Sequence, residues 1–299
     1  MKITVEPGKY IVAVSGGVDS MVLLDIVRQL PGVAIVVAHF DHGIRTDSDQ
    51  DRALVERAAS EHGLSFIYER AELGQGVSEA VAREARYTFL RRVQAEQQAR
   101  AIITAHHQDD VIETAVINIL RGTGRKGLAS LRSTDELVRP LLHVSKQEIL
   151  EYASQHGIHW HEDSTNNNDN YLRNYIRHHV MPRLGEDGKA ALLAHIAKAE
   201  TLNPAIDALL REGLADRSAP NVLRRQWFIM LPYAVACEVM MAWLREQGVV
   251  QFDRKTIDRL VVAGKTALPG RQIDANAGYL LKVTHAHLTI EQNNIVKTG

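Results

Sequence analysis

The chain opens as short apolar runs set between longer amphipathic stretches. Tyr10–Val14, Val33–Ala38, Leu64–Tyr68 and Ala101–Thr104 are brief and rich in β-branched residues, the pattern of strands buried on both faces. Between them lie MVLLDIVRQL, ALVERAASEHG with a stop at Gly63, Ser78 to about Gln98, and VIETAVINILR, all with helical spacing. This alternation predicts an α/β fold, a parallel sheet wound by right-handed crossovers. After Arg121 the pattern changes. GTGRKGLASLRSTDELVRPLL reads as a loop, Ser145 to about His156 as a helix, HEDSTNNNDN as a loop, and Tyr171 to about Val180 as a helix stopped at Pro182. Gly185–Gly188 is a hinge candidate. Helices are expected over about 189–212 and 221–247, then a small antiparallel sheet over about 272–292 with a turn at Asn276-Ala277-Gly278. The expected division is 1–187 and 188–299.

Composition narrows the classes. With 299 residues, 45% hydrophobic and 24% charged, the chain can bury a core. Its apolar runs stay well short of the roughly 18 residues that span a bilayer, and its first ten residues lack the apolar segment of a secretory signal. Cys237 is the single cysteine, which excludes an internal disulfide and a cysteine-rich metal site. The expectation is a cytoplasmic protein with no membrane partner. The formal net charge of -1 argues mildly against a nucleic-acid partner, since such proteins are usually basic.

Three stretches imitate phosphate loops. Gly122-Thr-Gly-Arg-Lys-Gly127 follows a helix rather than a strand, so it lacks the setting of a dinucleotide fingerprint. Gly264-Lys-Thr266 would need a glycine where Arg259 stands, so it is not a Walker loop. Ser15-Gly16-Gly17-Val18-Asp19-Ser20 lies between the first strand and the first helix. There glycines permit close backbone approach, and a helix N-terminus offers free N–H donors to an anion. Asp19 would repel a bare phosphate but suits a shared Mg²⁺. The turn has no lysine and is not a Walker site. The bland alternative is a turn capped by Asp19 or Ser20.

SGGVDS resembles the signature loop of the PP-loop ATP pyrophosphatase superfamily, which implies a doubly wound parallel sheet and cleavage of ATP between its α- and β-phosphates. Further motifs occur in order: His39-Phe-Asp-His42-Gly-Ile-Arg45, Ala82-Arg83-Glu-Ala-Arg86-Tyr87, Thr104-Ala-His-His107-Gln-Asp-Asp110-Val-Ile-Glu113, Arg121 to Leu128, Arg139-Pro-Leu-Leu142, Asp163-Ser-Thr-Asn166, and Arg173-Asn174 with Arg177. The series, over about 8–185, resembles the tRNA(Ile)-lysidine synthetase family; Val111 stands where that family usually carries Gln. The resemblance implies that ATP adenylates the C2 oxygen of the wobble cytidine in an isoleucine tRNA with a CAU anticodon. Free lysine then displaces AMP. It also implies Mg²⁺, a smaller, mostly helical C-terminal domain ending in an antiparallel sheet that binds tRNA, and permits a homodimer.

Roles follow from the chemistry. Ser15, Gly16, Gly17, Val18, Asp19, Ser20 and His42 are expected to bind ATP, with Asp19 on the metal and Arg45 clamping the nucleotide. Lysine needs a carboxylate for its ammonium, since its ordinary pKa is about 10.4. Asp110 and Glu113, three apart at a helix start, are the expected pair, with His107 assisting. Arg83, Arg86, Arg121, Arg173 and Arg177 are expected to meet tRNA. Plainer readings compete: loop histidines, a His106–His107 metal cluster, surface ion pairs for Arg83 and Arg86, and a core role for Cys237. The balanced charge also hides blocks. Residues 170–185 hold Arg173, Arg177 and Arg183 and no acid, whereas acids gather at 47–51 and 109–113. Near-neutrality therefore permits phosphate contact in patches.

Overall fold

The computed structural model describes residues 1, 3–43, 48–74, 77–161, 172–249 and 252–293. Two compact units emerge: Met1–Ile117 with Ala129–Leu193, and Asn118–Leu128 with Ala194–Gly299.

The first unit is built on five parallel strands: β1 Gly8–Ala13, β2 Val33–Asp41, β3 Ser65–Arg70, β4 Ala101–Ile103 and β5 Leu137–Val138, in the order β3-β2-β1-β4-β5. Alternation along β1 explains why both faces are covered. Tyr10 and Val12 point into a core with Val22, Leu23 and Val27 of helix α1 (Val18–Val27), Val55 of α2 (Ser48–Glu61), and Ile149. Ile11 points the other way, toward Phe89, Leu90 and Val93 of α3 (Glu79–Glu96). Burying each such side chain is worth about 1.5–3 kcal/mol.

The helix α4 (Gln108–Leu120) follows β4, α5 is the short Gly124–Leu128, and α6 is Lys146–Gln155. Ser145 caps α6 in a reciprocal box with Glu148. The expected helix near 171–180 is α7 (Leu172–Tyr175) running into a π-helical turn, Ile176–Val180. Ile176 and Met181 pack there on Ile112 and Ile117 of α4. The long helical stretch α8 (Met181–Ala215) breaks at Gly185, whose φ of 61° and ψ of 179° lie outside the helical region.

The second unit holds β6 Val222–Arg224, α9 Arg225–Met230, α10 Tyr233–Glu246, α11 Arg254–Thr266, β7 Gln272–Asp274, β8 Tyr279–Val283 and β9 His287–Gln292. Its antiparallel sheet runs β6-β9-β8-β7, and Phe228, Met240, Trp243, Leu260 and Leu288 fill its core. Four sequence expectations change. The short α5 and β5 both lie in the stretch read as loop, residues 222–224 are strand rather than helix, and α11 is an added helix. Gly264-Lys-Thr266 closes α11, where Gly264 sits so tightly that a Cβ would come within 2.9 Å of Phe228.

Candidate functional site

The SGGVDS turn joins β1 to α1 at the carboxyl edge of the sheet, next to the point where strand order reverses. Gly17 is the N-cap of α1, and no side chain caps that end. The capped-turn alternative is thereby removed. Ser20 is occupied otherwise: its hydroxyl donates to Gly17 O (2.9 Å) and accepts from Ser15 N (3.1 Å), and the two serine hydroxyls lie 3.2 Å apart. Ser20 N–H also turns back to Gly17 O (3.1 Å), so the N–H groups of Val18 and Asp19 are the ones offered to an anion. Gly16 has φ +95° and the backbone of α2 beside it, with Asp51 Cβ 3.2 Å from where a Cβ would stand. His161 braces this turn, donating its N–H to Gly16 O (3.1 Å) while its ring meets Asp51 (3.0 Å).

A cavity of about 530 Å³ opens here. It is lined by Gly17, Asp19 and Ser20 of the turn, by His39 and His42 at the end of β2, and by Arg86, His106, Asp110, Arg173 and Arg177. His39 is buried, bonded to Val14 O (2.8 Å) and stacked on Tyr68; burial pulls its pKa down. Gly43, at φ +65°, lets the β2 loop pass Ala71, whose carbonyl would lie 2.1 Å from a Cβ. His107 stands between two acids, its Nε2 3.7 Å from Asp19 and 3.6 Å from Asp110.

Burial raises the cost of ionising Asp110, but His107, His106, the His107 N–H and Arg173 outweigh it and hold its pKa below the ordinary value. Glu113 is buried and its pKa is raised by that burial, although Arg177 grips both of its oxygens at 2.7 and 3.0 Å. Burial drops His106 to about 3, helped by the charges of Arg139, Arg86 and Arg83 and opposed by Asp110, so it is neutral at pH 7. The same desolvation lowers the pKa of Arg86, whose Nε is buried. The cavity therefore carries both signs of charge, Asp19 and Asp110 with Arg86, Arg173 and Arg177, suited to a ligand carrying both phosphate and cationic groups.

A model described as a PP-loop domain matches residues 2–184, more than half of the chain. The chain belongs to the PP-loop family. Among curated relatives, tRNA(Ile)-lysidine synthase of Exiguobacterium sibiricum is 36% identical over 70% of this chain and 53% of its own length. That of Thermotoga maritima is 35% identical over 78% and 58%, and that of Thermus thermophilus 36% identical over 91% and 54%. The chain thus spans a little over half the length of these relatives. Among solved structures, the U34-tRNA thiolase NcsA of Methanococcus maripaludis aligns with a TM-score of 0.55 at 15% identity, covering 66% of this chain and 73% of its own. That likeness shows the fold alone, and it agrees with the doubly wound sheet.

The PP-loop cavity gathers Ser15, Gly17, Asp19, Ser20, His42, Arg86, Asp110, Arg173 and Arg177. Gly16 and Val18 complete the turn, Val18 pointing into the core. Glu113 lies beneath, held by Arg177, so the expected carboxylate pair is divided between a cavity-lining Asp110 and a buried Glu113. Arg83 is exposed and lies over the Tyr87 ring at 4.8 Å. Arg121 is exposed in the second unit. Arg45 and Asp163–Asn166 fall outside the described residues. Among the described residues no cluster of three His, Cys, Asp or Glu could hold a metal, which leaves the His106–His107 metal reading without support. Cys237 is a buried core residue of α10.

Sequence reasoning missed Lys146, which pairs with Asp19, and the Asp51–His161 brace. Each joins residues more than 100 positions apart, and no local pattern announces them.

Proposed function

We propose that this chain uses ATP to adenylate the C2 oxygen of the wobble cytidine of an isoleucine tRNA with a CAU anticodon, then attaches lysine to form lysidine. In the first step that oxygen attacks the α-phosphorus and the bond to pyrophosphate breaks. In the second, the lysine ε-amine forms a bond to C2, loses a proton, and AMP departs. The observation that carries this reading is one cavity lined both by an uncapped helix N-terminus with Asp19 and by Asp110, the two carboxylates approaching the same His107 Nε2. The helix N-terminus suits phosphates and the Asp110 carboxylate an ammonium. The relatives' names supply the substrate class.

The donor set fits Mg²⁺ arriving with the nucleotide. One carboxylate, Asp19, beside serine hydroxyls suits an ion that keeps most of its waters and shares phosphate oxygens. Such an ion would neutralise phosphate charge; Asp19 would hold it, and the α1 N–H groups would orient the phosphates. Asp110 would receive the lysine ammonium, while Glu113 holds Arg177 in place. Arg86 and Arg173 would take tRNA phosphate or nucleotide, with Arg83 and Arg121 as outer tRNA contacts, as would residues of the second unit. A cytoplasmic setting and a homodimer belong to the same reading. Sulfur insertion is a poorer fit, because the sequence offers Cys237 alone and it is buried.

The test is incorporation of radiolabelled lysine into isoleucine tRNA transcript, with methionine tRNA as control. Incorporation into the isoleucine transcript only is expected, and Asp19→Ala should lower the rate about 100- to 1,000-fold. No incorporation by folded protein supplied with ATP and Mg²⁺ would sink the reading.

A further inference from the structure

The SGGVDS turn has no lysine, yet the fold brings one to it. Lys146 Nζ lies 2.5 Å from Asp19 Oδ1, although the two residues are 127 positions apart. Lys146 is the first residue of α6. A cation there meets the positive end of the helix dipole, so local propensity disfavours it. Its side chain is 36% exposed and that of Asp19 30%, and pairs this wet contribute little to stability. Neither helix formation nor stability accounts for the contact. Among the described residues in direct ionic contact with Asp19 are Lys146 on one oxygen and His107 on the other.

We infer that Lys146 is a phosphate-binding residue of the nucleotide site, held against Asp19 until a nucleotide enters; this rests on the ATP-cleaving reading above. Asp19 cannot serve an ammonium and a metal–phosphate complex at full strength together. Once Asp19 is given over to the latter, the ammonium is left beside the phosphates at the α1 N-terminus. Its flexible four-carbon stem lets it follow the charge. On the β- and γ-phosphates it stabilises the negative charge that builds on pyrophosphate as the bond to the α-phosphorus breaks. No bond to Lys146 forms or breaks. The arrangement supplies from another part of the fold the cation that a Walker loop carries within itself.

The experiment compares wild type, Lys146→Gln and Lys146→Arg by calorimetry. It titrates inorganic pyrophosphate with Mg²⁺, and separately adenosine, and records thermal melting. Lys146→Gln should bind pyrophosphate about 10-fold or more weakly, as expected for losing one hydrogen bond between charged groups. Its adenosine affinity and melting temperature should stay close to wild type, and Lys146→Arg should recover most of the pyrophosphate affinity. Wild-type pyrophosphate affinity in Lys146→Gln overturns the inference, as does a parallel loss of adenosine and pyrophosphate, which marks a structural role. A wild-type protein that binds neither probe overturns the ATP reading and this inference together. Normal probe binding without lysine incorporation overturns the substrate assignment and leaves Lys146 as inferred.

Discussion

Two glycine-rich, charged segments of this chain meet opposite fates. SGGVDS ends as a helix N-terminus with no side-chain cap, lining a cavity. Gly122–Gly127, closer in spacing to a nucleotide fingerprint, closes on itself within the second unit. Arg125 there meets Asp207 (2.5 Å), Glu238 (2.9 Å) and the Asn203 side-chain oxygen (2.7 Å), and Lys126 meets Asp207 (2.9 Å). Gly127 is needed because a Cβ would fall 1.8 Å from Thr123 Oγ1, a packing demand with no ligand in it. A phosphate site is marked by the donors that folding leaves open, and glycine spacing alone does not report them.

The widest separation of the two regions comes from Asp110→Asn. It keeps the shape of the cavity and removes the charge offered to the lysine ammonium. Lysine incorporation should fall about 100-fold while ATP affinity holds, read from single-turnover labelling and from nucleotide titration. Unchanged incorporation would remove Asp110 from the lysine site. Arg125→Met should act the other way. It leaves Asp207 and Glu238 facing each other without their shared cation, and stability should drop by about 1–3 kcal/mol in urea unfolding. Adenosine and pyrophosphate binding should be unaffected. A binding defect in that variant would return the Gly122–Gly127 segment to the nucleotide site.

How much of this could be read from the sequence follows the range of each interaction. The strands β1, β2 and β4 were legible because a sheet covered on both faces needs unbroken apolar runs, as in Ile11 and Val12. β5 is two residues long, too short for any period, and exists because Val138 can pair with Ile103. The PP-loop was legible because strand, turn and helix are contiguous. Lys146 was not, since its partner is chosen by the tertiary fold. Asp110 and Glu113 were found as a pair by their helical spacing, but their division was hidden. Arg177, 64 positions beyond Glu113, occupies both of its oxygens. Arg125 and Lys126 look like free basic residues in sequence, but folding sets them against Asp207 and Glu238.

Acid should sharpen the contrast with the smallest step. His106 titrates near 3 in the fold because it is buried among Arg139, Arg86 and Arg83, whereas an unfolded histidine titrates near 6.5. The unfolded chain therefore takes up the proton first as pH falls. The stability that neutral His106 supplies is fully present above pH 6.5 and declines below it, by about 1.4 kcal/mol per pH unit. His39, also depressed by burial, adds in the same direction. In the other region Asp207 is a carboxylate whose pKa is pulled down by Arg125 and Lys126 against its own desolvation. Its contribution survives until pH falls through its lowered folded value, below the ordinary 3.8. Between pH 6.5 and 5, then, the sheet around the PP-loop should loosen while the Arg125 knot holds. Hydrogen exchange resolved by segment at pH 7 and pH 5 reads this directly. His106→Gln should flatten the loss in β4 and α4, and equal loosening of both regions in wild type would show that the buried histidine is not its source.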